Sequence, residues 1–122
     1  MRYMILIYND PTILDNMTQA EQEADFQSYM AFNQVAAEKN VMRNALPLHP
    51  ASTATTLRVR DGKSNTFDGP FAETKEILGG VYVLDCKDLD EALELAALIP
   101  AAHHSSVEIR PILEIPGVEQ SQ

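Results

Sequence analysis

Residues 4–8, Met-Ile-Leu-Ile-Tyr, are apolar at odd and even positions alike, the pattern of a central strand covered on both faces. Asn9-Asp10-Pro11 ends that strand. Thr18 followed three residues later by Glu21 forms a capping box, in which each side chain satisfies a backbone N–H left orphan at a helix start. The spacing beyond it predicts a helix from about residue 19 to residue 39. On a 3.6-residue period Phe26, Tyr29, Met30, Ala36 and Ala37 share one face with Asn33 near its middle, while Phe32 and Val35 fall on a second side. That second apolar side predicts either a helix covered twice or contact with another subunit.

Pro47 and Pro50 around His49 limit residues 41–46 to a short strand before an extended loop. Thr55, Leu57 and Val59 then alternate with Thr56, Arg58 and Arg60, and Asp61-Gly62 supplies the positive-φ pair that returns residues 64–67 antiparallel. This predicts a hairpin with one solvent-facing side. Gly79-Gly80 leads into a second doubly apolar strand at 81–84. Asp88 caps a further helix, with Glu91 at its third position, a buried stripe of Leu89, Ala92, Leu93 and Ala96, and a stop at Pro100. His103 and His104 are expected at the start of the last strand, where Val107 and Ile109 point inward and Glu108 and Arg110 outward. Pro111 lacks an N–H, which suits an edge position.

The order strand, helix, strand with hairpin, strand, helix, strand is that of an α+β fold, the ferredoxin-like βαββαβ arrangement with an extra β-hairpin. Helices cover one sheet face. The doubly apolar strands require cover on the other, which a homodimer pairing sheet to sheet would provide. Residues 1–115 are read as one domain and 116–122 as a frayed C-terminal tail, a reading that suits a chain of 122 residues.

Charge narrows the partners. Nine basic against 18 acidic residues give a net charge of −9, and the densest basic cluster is the alternating Arg58, Arg60 and Lys63, so nucleic acid is not an expected partner. No apolar run reaches the length of a membrane span or a signal-peptide core, so no membrane association is expected. The single cysteine, Cys86, has no partner for an internal disulfide and reads as a half-buried thiol at a strand end, consistent with a cytoplasmic protein.

Candidate chemistry gathers in residues 68–76, DGPFAETKE. Asp68 before Gly69 and Pro70 either closes an Asx-turn or presents a carboxylate to a site, and loops on a rigid sheet are where sites concentrate. Tyr29 and Asn33, four residues apart, project side by side onto the sheet. They either satisfy themselves locally or line a pocket with Asp68, in which Asp68 serves as acid or base and Tyr29 orients substrate. His49, stiffened by its prolines, is a further catalytic candidate, and Phe71 and Lys75 are candidate ligand contacts, although Lys75 between Glu73 and Glu76 also reads as a solvated charge run. His103 and His104, if extended, point to opposite faces and cannot share a metal. No phosphate-binding glycine loop, zinc motif or nucleophile elbow is present, so neither a metal nor a cofactor is expected.

The run DGPFAETKEILGG, preceded by PASTATTLRVRDG and followed by VYVLDCKDLDEALELAALIPAA and VEIRPIL, resembles the YCII-related family, in particular its DGPF branch, from residue 1 to about 113. The resemblance implies a dimeric α+β barrel of two ferredoxin-like halves. It also implies an aspartate and histidine pair suggestive of an enzyme, and one relative in the family acts as a dehydrochlorinase on a chlorinated hydroquinone. Asp68 matches that aspartate, whereas Tyr29 stands where the histidine is expected. A phenol with a pKa near ~10 is a poor base at neutral pH. Three functions follow as expectations: a cofactor-independent lyase or isomerase acting on a small organic molecule through Asp68, a ligand-sensing or regulatory module partnered with an extracytoplasmic-function sigma factor, and a non-catalytic dimeric scaffold.

Overall fold

Strand β1 (Arg2–Asn9) lies inside a four-stranded antiparallel sheet of order β2-β5-β1-β6, formed with β2 (Met42–Pro47), β5 (Ile77–Asp85) and β6 (Ser106–Pro111). The computed structural model describes residues 1–72 and 74–118. Glu73 of the acidic loop and residues 119–122 of the expected tail therefore lie outside the described residues. Helices α1 (Pro11–Asp15) and α2 (Gln19–Glu38) follow β1, and α3 (Leu89–Ala96) and α4 (Ala101–His104) follow β5. The hairpin β3 (Thr55–Arg60) and β4 (Lys63–Asp68) is inserted between β2 and β5 as a separate two-stranded sheet. This is the ferredoxin-like α+β fold with an extra hairpin, and Pro111 sits on edge strand β6.

Burial along β1 alternates. Tyr3, Ile5 and Ile7 are buried under the helices, while Met4, Leu6 and Tyr8 on the far face are only half-buried. On β5, Leu84 is fully buried on the helix face, whereas on the far face Val81 opposite Leu6 remains partly open and Val83 opposite Met4 is buried. The double cover expected for the central strands is thus complete on one side of a single chain and partial on the other. Cys86, expected to be half-buried, is fully enclosed in the core.

Thr18 Oγ1 accepts from Glu21 N at 3.1 Å and Glu21 Oε1 accepts from Thr18 N at 3.0 Å, the reciprocal box expected. The buried face of α2 differs from expectation. Phe32 and Ala36 are fully buried, with Tyr29 and Val35 packed against the core, whereas Phe26 and Met30 are 60% and 49% exposed. Apolar residues encircle most of this helix, so periodicity alone does not choose its rotation. The choice falls to Phe32, whose ring fits against Tyr82 of β5 at a centroid distance of 4.9 Å.

Four further expectations are corrected. Asp88 caps α3 through a bond from Glu91 N at 2.9 Å, but the buried residues are Ala92, Leu95 and Ala96, and Leu89 and Leu93 face outward. The helix ends at Ala96, and Pro100 opens α4 instead of merely stopping α3; Ile99 and Ala101 fill the core between them. His103 and His104 consequently lie on α4 and not at the start of β6, because Pro at a first helical turn is favoured where it has no N–H to lose. The hairpin turns at Asp61 and Gly62, both at positive φ (53° and 75°), as expected. Within one chain, however, both of its faces are open, with Leu57, Val59 and Phe67 exposed, because it extends away from the main sheet. Short helix α1 was not foreseen; Asp10 caps it by accepting from Thr12 N at 2.9 Å, and Pro11 occupies its first turn.

The central role of Phe32 gives a direct test: Phe32→Ala is expected to lower unfolding stability by roughly 3–5 kcal/mol in urea denaturation, whereas Phe26→Ala, on the exposed side, changes it by less than about 1 kcal/mol.

Candidate functional site

Two clefts open on opposite faces of the same sheet end. The first, the helix cleft, lies between α2 and the sheet and has a volume of about 470 Å³. Its walls come from Ile7 and Asn9 of β1, Tyr29, Met30 and Asn33 of α2, and Gly79 to Tyr82 of β5, with Ala45 to Pro47 closing its edge. The lining is mainly apolar, and its polar side chains are two amides and two phenols. It thus brings together Tyr29 and Asn33, as their four-residue spacing predicts, and adds Asn9 and Tyr82. Among the described residues, neither the Asn9 nor the Asn33 amide has a hydrogen-bond partner.

Burial, then the Asp25 carboxylate one turn away and the Tyr82 phenol, push the Tyr29 phenol up to about 12, against a smaller opposing pull from the backbone of Ala101. Burial raises Tyr82 as well. Both groups are neutral at physiological pH, so Tyr29 offers a hydroxyl and a ring face but no base.

The second cleft, about 700 Å³, opens on the far face, where Tyr8 and Leu78 are paired across β1 and β5. The loop at 48–54 and the DGPF loop form its rim, and it gathers His49, Phe71, Thr74 and Glu76. Arg58 of the hairpin lies over the Phe71 ring at 5.0 Å and props that rim. Tyr8 donates to Glu108 Oε1 at 3.3 Å, and burial together with that carboxylate raises its phenol.

Asp68 lines neither cleft. It ends β4 opposite Thr55, with its carboxylate exposed and, among the described residues, without a hydrogen bond or ion pair. An Asx-turn there is blocked by chemistry, since the N–H it would use belongs to Pro70. The turn is held otherwise: Gly69 at φ 103° donates its N–H to Ala54 O at 2.7 Å, and Thr56 Oγ1 donates to Gly69 O at 2.9 Å. Lys75 reaches Asp10 instead of the neighbouring Glu76, its Nζ lying 3.8 Å from Asp10 Oδ2. Asp10 is the chain's buried carboxylate among the described residues, and its place at the cap of α1 explains its burial.

A further depression, between α2 and α4, holds His104, whose Nε2 lies 3.4 Å from Asp25 Oδ1 without the alignment of a hydrogen bond. His103 Nε2 is 2.7 Å from Ala97 O and ties α4 to the end of α3, whereas the other His104 nitrogen meets only the adjacent Ser105 hydroxyl, at 3.3 Å. Among the described residues no group of three or more His, Cys, Asp or Glu side chains is placed to hold a metal ion, and no helix is long and apolar enough to cross a membrane.

Reasoning from sequence missed Asn9 and Tyr82, which sit on strands whose apolar run hid their polar atoms. The available signal was Gly79-Gly80: paired glycines inside a strand mark a bulge or a close approach.

A ferredoxin-like α+β chain with an inserted hairpin and a DGPF loop at the base of that hairpin defines the class. Comparison with known sequences then places it: the YCII-related domain matches residues 1–116, and the chain belongs to that family. It is also 38% identical over 114 residues, covering 92% of each chain, to an uncharacterized protein of Rhizobium meliloti (strain 1021).

The raised phenol has a measurable consequence for stability. A group whose folded pKa lies above its unfolded value near ~10 contributes stability that is present below pH ~10 and lost as pH rises through the folded value. Tyr29→Phe is therefore expected to show a shallower loss of stability on the alkaline side than wild type, and ultraviolet titration is expected to lose a phenol ionising at about 12.

Proposed function

We propose that the protein is a small-molecule-binding homodimer whose ligand occupies the helix cleft. The observation that carries this reading is the pair of unpartnered amides, Asn9 and Asn33, set in a mainly apolar cleft of about 470 Å³. A few convergent polar groups in an apolar concavity are the usual form of a small-molecule site. Both amides are half-buried and reach solvent, so an incoming molecule can replace water on them without breaking a bond inside the protein. Tyr29 and Tyr82 add ring faces against which a flat molecule packs.

The homodimer is supported by the half-open far face and by the apolar side chains around it, Leu46, Leu48, Leu57, Val59 and Phe71, all more than half exposed in one chain. Solitary exposed apolar residues are ordinary, but five more than half exposed on β2, the loop after it, the hairpin and the DGPF loop are more than a monomer needs to leave open, and they support an interaction surface. Sedimentation velocity is expected to give twice the mass of the chain, and a compact monomer would contradict the dimer.

Acid–base turnover of the lyase or isomerase type, without a cofactor, is proposed as a second reading centred on the DGPF loop, with Asp68 as the acid or base. A carboxylate free of partners among the described residues, on a loop held at Gly69 by one backbone bond to Ala54 and one from the Thr56 hydroxyl, supports it. Asp68 stands outside the helix cleft, so binding there and turnover at Asp68 are tested separately. The regulatory reading with a sigma factor rests on the family resemblance, and the scaffold reading on the exposed apolar surface alone.

A thermal-shift screen of a metabolite library against wild type, Asn33→Ala, Ala45→Trp and Asp68→Asn separates these readings. Compounds that stabilise wild type are expected to lose their effect in Ala45→Trp, which fills the cleft, and to bind about tenfold more weakly to Asn33→Ala, the value of one well-placed hydrogen bond. Asp68→Asn is expected to retain binding and lose turnover. Stabilisation that persists undiminished in Ala45→Trp would contradict the cleft as the site.

A further inference from the structure

We infer that Gly79 holds the Asn9 amide in the helix cleft as a ligand-contacting group, and that the cleft selects an uncharged molecule bearing an amide-like pair of donor and acceptor. This rests on the helix cleft being the binding site and adds what that site recognises.

The register of the central strands carries the first half. Ile7 pairs with Gly80 and Tyr8 with Leu78, so Gly79 is the extra residue of a β-bulge between the two inner strands. Bulges are common beside functional sites, where they re-aim a side chain. The conformation of Gly79 is not the reason for its being glycine, because it does not lie in the left-handed region that excludes other residues. Space is the reason. A Cβ at position 79 would come within 2.6 Å of Asn9 Nδ2, and its next neighbours are 3.8 Å or more away. What the missing side chain makes room for is thus the Asn9 amide itself. Gly80 differs: its Cβ would meet the backbone oxygen of Leu46 at 3.1 Å, so its glycine serves the pairing of β5 with β2.

The second half follows from the inventory of the lining. Its polar side chains are the amides of Asn9 and Asn33 and the phenols of Tyr29 and Tyr82, with no Lys, Arg or His among the lining residues. The charge that raises Tyr29 is the carboxylate of Asp25, one turn before it on α2, outside the cleft lining and 3.4 Å from His104 Nε2. An anionic ligand would be desolvated in a mainly apolar cleft with no counter-charge and with a carboxylate nearby, an arrangement that costs binding free energy. A primary amide, by contrast, presents two donors and an acceptor, and two of them suit a neutral partner that offers both in return.

Two probes of nearly equal shape, 2-naphthamide and 2-naphthoate, test this in binding titrations followed by the side-chain amide signals in nitrogen-15 NMR. Wild type is expected to bind 2-naphthamide at least about tenfold more tightly than 2-naphthoate, with the signals of Asn9 and Asn33 moving on titration. Gly79→Ala is expected to fold with a urea midpoint close to wild type, since the displaced atom is the end of a flexible side chain, and to bind 2-naphthamide about tenfold more weakly. Asn9→Ala, which keeps the bulge and removes the amide, is expected to match that loss. Equal or tighter binding of 2-naphthoate, or wild-type affinity for 2-naphthamide in both variants, would overturn the inference while leaving the cleft as the site. Binding of neither probe to wild type at the solubility limit, or binding undiminished by Ala45→Trp, would instead overturn the cleft as the site.

Discussion

Phe32 determines how α2 sits on the sheet, and the rest of the molecule's functional geometry depends on that rotation. Its ring is fully buried and tilts against Tyr82 at 4.9 Å, which places Tyr29 and Asn33 along the flank facing β1 and β5. Rotated to bury Phe26 and Met30, the helix would seal the cleft with apolar side chains. With Phe32 inward, Met30 becomes a wall of the cleft and Phe26 its outer lip. A single packing choice thus leaves a concavity where an amphipathic helix would ordinarily leave none.

Much of this architecture is legible in the sequence. The Thr18 and Glu21 box, the Asp61-Gly62 turn, the cap at Asp88 and the alternation of Val107 and Ile109 each depend on local chemistry, and each is realised as read. The misreadings share a physical cause. In α2 and α3 the apolar residues outnumber the positions a single face can bury, so which of them turn inward is decided by packing partners distant in sequence. Leu95, not Leu89 or Leu93, faces the core of α3 for the same reason. Pro100 reads equally well as a stop and as a first-turn residue, and the buried Ile99 and Ala101 beside it select the second.

The candidate site was legible only in part. Tyr29 and Asn33 share a cleft because their helical spacing requires it, whereas Asp68, His49 and Phe71 belong to a hairpin and loops whose direction the sequence pattern does not encode. The structure distributes them so that His49 and Phe71 rim the far-face cleft, and Asp68 stands at the base of the hairpin apart from both clefts. Asn9 carries no motif, and Gly79 shows in the sequence only as one of a glycine pair inside a strand. Their importance arises from a bulge between two inner strands, a long-range pairing between residues about seventy positions apart. The sheet end therefore presents two faces of different character. Neutral amides and phenols line the side between α2 and the sheet, while Glu76, Glu108 and Arg58 lie around the far face that a second copy is proposed to cover.

The central claim, that the ligand site is the helix cleft and not the larger far-face cleft, is tested most directly by intermolecular nuclear Overhauser effects in the complex with 2-naphthamide. The account predicts contacts from the naphthalene protons to Asn9, Asn33 and Tyr82. Contacts confined to Tyr8, His49 and Phe71 would contradict it and assign binding to the DGPF side of the sheet.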